Sequence, residues 1–361
     1  MPKLDAEKLE LFVRELFRVA EVPDEHAAIV AEHLVTSSMM GMHSHGLMRV
    51  TEYLSYIQDG RINIHAEPHV LRDTQASMVI DYGYYLGPVC ANDAIDRAMA
   101  KAKEYGIACI SARRSAHVAR LGAYTERAAH AGFVALAFCN SGKHGHFVAP
   151  WGGREGRLAT NPISFAIPTD DTAVICSDFS TAAIPEGKIR LSLQQKKMLP
   201  ESAVIRHDGA SSNDPADFYG PPRGAIAPFG GSVGYRGFAL GFLVEVLGGL
   251  LGGTGMLDEA AGNGLGFILI EPGFFADREA FTALVREARD YVKSSPAAQG
   301  FSEVLMPGEP EFLACQRVLR EGIELPDPIW ESILEQAAAL KLEVPDDLEV
   351  TFRTRMQEPI R

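Results

Sequence analysis

The 361 residues, 47% hydrophobic and 22% charged, have an ordinary globular composition and enough length for a large core and two structural units. A net charge of −13 excludes general nucleic-acid binding and obliges any anion site to gather its cations locally. The five cysteines (Cys90, Cys109, Cys139, Cys176, Cys315) show no paired spacing, as expected of reduced thiols in a cytoplasmic protein. No signal peptide is expected, because the amino terminus opens directly into an amphipathic pattern. The longest apolar run, 238–251, is broken by glycines and is read as excluding a membrane span.

Leu9, Phe12, Val13, Leu16, Phe17 and Ala20 recur at helical spacing and predict a helix ending near Val22-Pro23, followed by a second over 24–38. Ser44 is placed as the cap of a third, with Val50, Leu54 and Ile57 on its apolar side and Gly60 as its stop. His45 then lies in the first turn, with Arg49 and Tyr53 following on the same face. A titratable imidazole and a fixed cation at the positive end of a helix suit a small anion with a proton to move. An amphipathic helix with a solvated polar face is the plainer alternative. Residues 1–75 are assigned to this helical unit.

Strand and helix then alternate over 76–305, which implies α/β architecture. Strands are expected at 77–81, 107–111, 134–139, 163–167, 173–178 and 267–271, and helices at 88–103, 121–131 and 278–292. The Gly-, Pro-, Asp- and Ser-rich segment 199–228 reads as a long surface excursion, and 237–251 as a buried apolar helix. Over 306–361 two more helices are expected, 309–321 and 328–340 with Asp327 as cap, packing back on the amino-terminal unit.

Chemistry concentrates between these elements. His117 falls between a strand and a helix, where open α/β sheets place ligands. Thr160-Asn161-Pro162 suits a tight turn with exposed amides. In Asp178-Phe179-Ser180-Thr181 the carboxylate could accept from a ribose hydroxyl or an amide and the hydroxyls donate to phosphate, or the four could simply build a turn. Glycines at 230–237 with Arg236, just before the apolar helix, form a candidate phosphate cradle. No Gly-x-Gly-x-x-Gly follows a strand, so a Rossmann site is unsupported. The pairs His43/His45 and His144/His146 keep a metal-dependent hydrolase open, although no carboxylate set at ligand spacing completes either.

Taken in order, several stretches together resemble the malate/L-lactate dehydrogenase family of non-Rossmann nicotinamide oxidoreductases over nearly the whole chain. They are Ser44-His45-Gly46 with Arg49 and Tyr53; Ser115-Ala116-His117 with Gly122 and Tyr124; Pro150-Trp151-Gly152-Gly153; Thr160-Asn161-Pro162; Asp178-Phe179-Ser180-Thr181 with Gly187-Lys188; Gly234-Tyr235-Arg236-Gly237-Phe238; and Pro307-Gly308-Glu309. The resemblance implies a mixed-sheet α/β domain with a small helical domain built from the two ends of the chain, assembled as a homodimer. It also implies hydride transfer between NAD or NADP and C2 of a small 2-hydroxy or 2-oxo acid, or reduction of a cyclic imine carboxylate. By the same resemblance, His45 and His117, with Ser44, do the catalytic acid/base work. Arg49 grips the substrate carboxylate beside Tyr53. Ser141, Thr160, Asn161, Asp178, Phe179, Ser180, Thr181, Lys188, Arg236, Gly308 and Glu309 hold the cofactor, and no metal is needed. A helix amino terminus is expected to keep His45 neutral. Arg236 stands where the family usually has lysine and His43 where it has aspartate, which leaves NAD versus NADP open and admits a noncatalytic anion-binding paralogue.

Overall fold

The computed structural model describes residues 2–200, 202–257 and 262–348. They fall into two compact units, one running to Ile64 and resuming at Glu309, the other His65–Gly308.

The first unit is helical. Asp5 starts the helix Ala6–Val19 by accepting from the amides of Glu7 (3.1 Å) and Lys8 (3.2 Å), and Leu9, Phe12, Val13, Leu16 and Phe17 bury one face. That helix packs on Asp24–Met39. Both ends of the chain contribute: Lys3–Leu4 pairs antiparallel with Ile323–Glu324, and the Phe12 ring meets Trp330 edge-on at 6.2 Å. The carboxyl-terminal helices are Glu309–Glu321 and Asp327–Ala339; Asp327 is the first helical residue behind Pro326 rather than a cap.

A seven-stranded mixed sheet organises the second unit. In chain order its strands are β1 (His69–Asp73), β2 (Ser77–Tyr85), β3 (Ile107–Ser115), β4 (Val134–Cys139), β5 (Ile163–Ile167), β6 (Ile175–Phe179) and β7 (Asn263–Ile270), arranged β1-β2-β3-β7-β4-β5-β6. Only β2 and β3 run parallel, joined through the helix Gly87–Tyr105; the other pairings are antiparallel. This is a non-Rossmann α/β sheet. All five residues of β1 are exposed, so it carries no alternating signal, yet it pairs with β2. The helical unit therefore stops at Ile64, not 75. At the other boundary the sheet unit runs past 305 to Gly308, because the Pro307 carbonyl accepts from the Cys176 amide at 3.0 Å.

Late in sequence but central in the sheet, β7 fully buries Leu265, Phe267 and Leu269. Two of the residues between and before them, Gly264 and Gly266, are glycines. A Cβ on Gly264 would lie 2.4 Å from the Gly248 carbonyl oxygen, and one on Gly266 2.2 Å from that of Leu247, so backbone meets backbone where the helix Tyr235–Gly248 crosses the sheet. Burial of this helix is one-sided, contrary to expectation: Gly237, Gly241, Val244, Glu245 and Gly248 are covered, while Phe242 and Leu243 are exposed. By length and apolarity the stretch Tyr235–Gly252 would suffice to cross a membrane, so its glycines do not exclude that; here they pack it on the sheet.

The segment 199–228 is more than an excursion. It contains Val204–Ile205, Ser211–Ser212 and Ala225–Ile226 as a three-stranded sheet. Phe218, Val204 and Ile226 are buried with Ile189, Val148 and Leu158 in a separate core. Strands of two residues are too short to show a period.

Phe267 is fully enclosed and meets Tyr124 edge-on at 6.2 Å. Phe267→Ala should cost about 3–5 kcal/mol in denaturant unfolding, whereas Phe275→Ala, at an exposed ring, should stay within about 0.5 kcal/mol.

Candidate functional site

In the helical unit the continuous helix expected from Ser44 is broken. His43–His45 forms a 3₁₀ turn, and the α-helix starts only at Arg49 and runs to Gln58. Gly46 makes the break: a Cβ there would lie 2.1 Å from Ser38 Oγ, which itself accepts from the Leu47 amide at 2.8 Å. The loop is thereby pinned to the helix Asp24–Met39. Ser44 caps nothing; its Oγ lies 2.8 Å from His45 Nδ1, and its carbonyl accepts from Arg49 Nε at 2.8 Å.

Arg49 Nη1 pairs with Glu52, which leaves Nη2 with no hydrogen bond among the described residues. His45 is pushed down to about 4, first by burial and then by the Arg49 charge, with Glu52 opposing. The expected neutrality holds, but burial and a neighbouring cation cause it, not a helix end. Tyr53 is fully buried with Val50 and Leu54, and burial raises the pKa of its hydroxyl. It packs the core rather than lining an open face.

In the sheet unit His117 occupies the turn between β3 and the helix Gly122–His130. The turn is held from several sides. A Cβ on Gly87 would lie 2.0 Å from the His117 carbonyl oxygen; the Val118 amide donates to Asn263 Oδ1 at 3.2 Å, and its carbonyl accepts from the Tyr124 hydroxyl. Arg120 is buried with its guanidinium on Glu126 through two hydrogen bonds. His117 Nδ1 faces the Ala119 N–H at 3.4 Å.

Asp178, at the end of β6, accepts from the Gly122 amide at 2.7 Å and so anchors the helix that follows His117. Burial raises its pKa, against the Gly122 hydrogen bond and the charge of Arg120. The hydroxyls of Ser180 and Thr181 do not serve as the expected phosphate donors. Each has one hydrogen; Ser180 Oγ donates to the Thr160 carbonyl at 3.0 Å, and Thr181 Oγ1 lies 3.1 Å and 3.0 Å from the carbonyls of Thr160 and Asn161. Asn161, at φ +37°, donates through Nδ2 to the Gly241 carbonyl (2.9 Å) and Glu245 (2.8 Å). Its buried Oδ1 has no donor among the described residues.

The structure thus joins Thr160, Asn161, Ser180 and Thr181 through hydrogen bonds, and ties Asp178 to the His117 turn. Ser141 lies in the turn after β4, against Gly145. The Phe179 ring tilts on Phe229 at 6.4 Å, and Gly308 (φ +94°) packs on the backbone of Cys176. Lys188 and Arg236 are exposed and make no hydrogen bond to the Asn161 group; Arg236 Nε approaches the Tyr235 hydroxyl at 3.2 Å. Glu309 opens a helix of the other unit. Glu245 and Asn140 escaped the sequence pattern; the available signal was a lone glutamate in an apolar run.

Neither His-x-His pair lies on a strand, the geometry that would set two imidazoles on one face. His43–His45 and Lys143–Gly145 are both 3₁₀ turns, and no metal-holding group of three His, Cys, Asp or Glu occurs among the described residues.

The residues present fit a dinucleotide. Gly230 (φ +113°) and Gly231 (φ +55°) make a turn with open space at Gly231, leading to an uncapped amino terminus and the exposed Arg236, as an anionic diphosphate requires. The donorless Asn161 Oδ1 suits an amide or hydroxyl hydrogen.

A family model described as malate/L-lactate dehydrogenase matches residues 4–334. The chain belongs to the malate/L-lactate dehydrogenase family. It is 32% identical to the L-lactate dehydrogenase of Cupriavidus necator, over 95% of this chain and 99% of that one. The L-sulfolactate dehydrogenase of Methanocaldococcus jannaschii is 32% identical over 96% and 99%, and a solved structure of sulfolactate dehydrogenase from that organism superposes with TM-score 0.87 at 31% identity, covering 96% and 100%. A Δ1-piperideine-2-carboxylate reductase structure from Pseudomonas syringae matches with TM-score 0.79 at 28% identity, covering 93% and 100%. This malate/L-lactate dehydrogenase family member is an oxidoreductase of hydroxy acids.

Gly87 tests the rigidity of the His117 turn. Gly87→Ala should lower stability by about 1–3 kcal/mol through overpacking and cut hydroxy-acid turnover by about tenfold or more, roughly the weight of one positioned acid/base group. Wild-type turnover in a folded Gly87→Ala protein would show that the turn need not be held.

Proposed function

We propose that the protein transfers hydride between NAD or NADP and C2 of a small 2-hydroxy acid or the matching 2-oxo acid, as a cytoplasmic homodimer. The observation that carries this reading is the coupled pair in the helical unit, a half-buried neutral His45 beside a guanidinium with one uncommitted nitrogen, Nη2. Arg49 takes the substrate carboxylate through Nη2. When bound, the nicotinamide supplies or accepts the hydride.

The low proton affinity of His45 divides the work between the histidines. With a pKa of about 4, only about one ring in a thousand is protonated at pH 7, too few for the principal acid. His45 serves as a neutral hydrogen-bonding partner positioned by Ser44. His117 carries the proton: in reduction its imidazolium form gives a ring proton to the 2-oxo oxygen and becomes neutral, and in oxidation the neutral ring takes the hydroxyl proton back. A second reading, reduction of a cyclic imine carboxylate, is favoured by the likeness to the P. syringae reductase. An iminium already bears its proton on nitrogen and needs no acid for hydride addition, so His117→Ala should abolish oxo-acid turnover but spare imine turnover.

Consumption of reduced nicotinamide with a panel of 2-oxo acids and cyclic imines, using NADH and NADPH separately, tests the assignment. Arg49→Ala should lower kcat/KM by roughly 30–150-fold, the weight of about 2–3 kcal/mol for a lost charge-assisted contact. No turnover with either cofactor would overturn the proposal.

His45 also has a stability signature. Its pKa is depressed from 6.5 to about 4 on folding, so between these values the unfolded chain binds more protons and stability falls as pH drops. The loss reaches no more than about 3 kcal/mol once pH 4 is passed. Denaturation midpoints across that window should fall less steeply in His45→Ala than in the wild type.

A further inference from the structure

We propose that Glu245 is a positioning residue for the cofactor-contacting turns, a deepening that rests on the dinucleotide reading above. Glu245 is fully buried, and no lysine or arginine pairs with it among the described residues. Its two oxygens are instead divided between two asparagine amides: Asn140 Nδ2 donates to Oε1 and Asn161 Nδ2 to Oε2, each at 2.8 Å. Asn140 directly follows β4 and precedes Ser141; Asn161 follows Thr160 and leads into β5. The helix that carries Glu245 begins beside Arg236. One carboxylate therefore ties together three stretches that the family resemblance assigns to the cofactor.

The asparagines cannot turn away cheaply. Asn140 Oδ1 accepts from the Gly264 amide at 2.9 Å, and its side chain is so closely flanked that a Cβ on Gly249 would lie 2.0 Å from Nδ2. Asn161 Nδ2 has a second acceptor in the Gly241 carbonyl, which fixes the sense of the amide and leaves Oδ1 as the end without a protein donor. Because both partners are donors, the position requires two acceptor atoms. A glutamine there would turn one –NH2 against another.

This makes an exchange of polarity testable. Glu245→Gln should raise the dissociation constants of NADH and NADPH at least tenfold and reduce kcat less than it raises cofactor KM. Glu245→Gln with Asn140→Asp restores every bond: the introduced amide donates to the introduced carboxylate, its oxygen still accepts from Asn161, and the Gly264 amide keeps its acceptor. The double variant should recover wild-type cofactor affinity within about threefold. Wild-type affinity in Glu245→Gln, or a folded double variant that stays as weak as the single one, would overturn the proposal. Should the wild type bind neither dinucleotide, the dehydrogenase reading fails first, and amide hydrogen exchange still decides on Glu245. Exchange at the amides of residues 140–146, 160 and 161 should accelerate at least tenfold in the single variant and return in the double; unchanged exchange in the single variant refutes the clamp.

Discussion

The sheet unit depends on a helix lying backbone to backbone on its central strand. A Cβ on Gly264 or Gly266 of β7 would strike the Gly248 or Leu247 carbonyl of the helix, and one on Gly248 would press on the Cys139 and Asn140 backbone at 3.1 Å. Only at that separation can a glutamate on the helix reach asparagines at two strand ends, and the turns around Ser141 and Asn161 inherit their positions from this contact. A carboxylate so deep is costly to desolvate, and hydrogen bonds from two amides are what make it tolerable. The turns that carry polar chemistry are therefore held by a closed set of hydrogen bonds rather than by loop packing.

The helical unit solves a different problem. An acidic chain must keep donors of a cation available to an anion, and Arg49 does so by giving Nη1 to Glu52 and Nε to the Ser44 carbonyl while Nη2 stays uncommitted. The same guanidinium helps to keep His45 neutral, second to burial. Charge and neutrality side by side arise from a single glycine, Gly46, which lets the chain turn against Ser38 before the helix begins.

Much of this was legible from residue spacing alone. The apolar period of the first helix and the runs of β4 and β5 appear in the structure as expected, because each is set by residues within one element. The proximity of His45 and Arg49 was also anticipated, though for the wrong reason: a helix was assumed where a pinned turn does the placing. What stayed hidden depends on partners distant in sequence. Ser180 and Thr181 look like donors until the carbonyls of Thr160 and Asn161 claim their hydrogens. Glu245 reads as a stray charge until Asn140 and Asn161 arrive, and β1 has no period to show because none of its residues is buried.

The pairing of Lys3–Leu4 with Ile323–Glu324 has a consequence for how the molecule is made. The helical body needs both ends of the polypeptide, with 244 residues of sheet unit, His65–Gly308, interposed between its two parts. During synthesis its first three helices must wait, apolar faces uncovered, until nearly the whole chain has left the ribosome. The sheet waits too, since β3 and β4 remain unjoined until β7 emerges. Such long-range closure predisposes to slow maturation and to dependence on chaperones that shield unfinished surfaces.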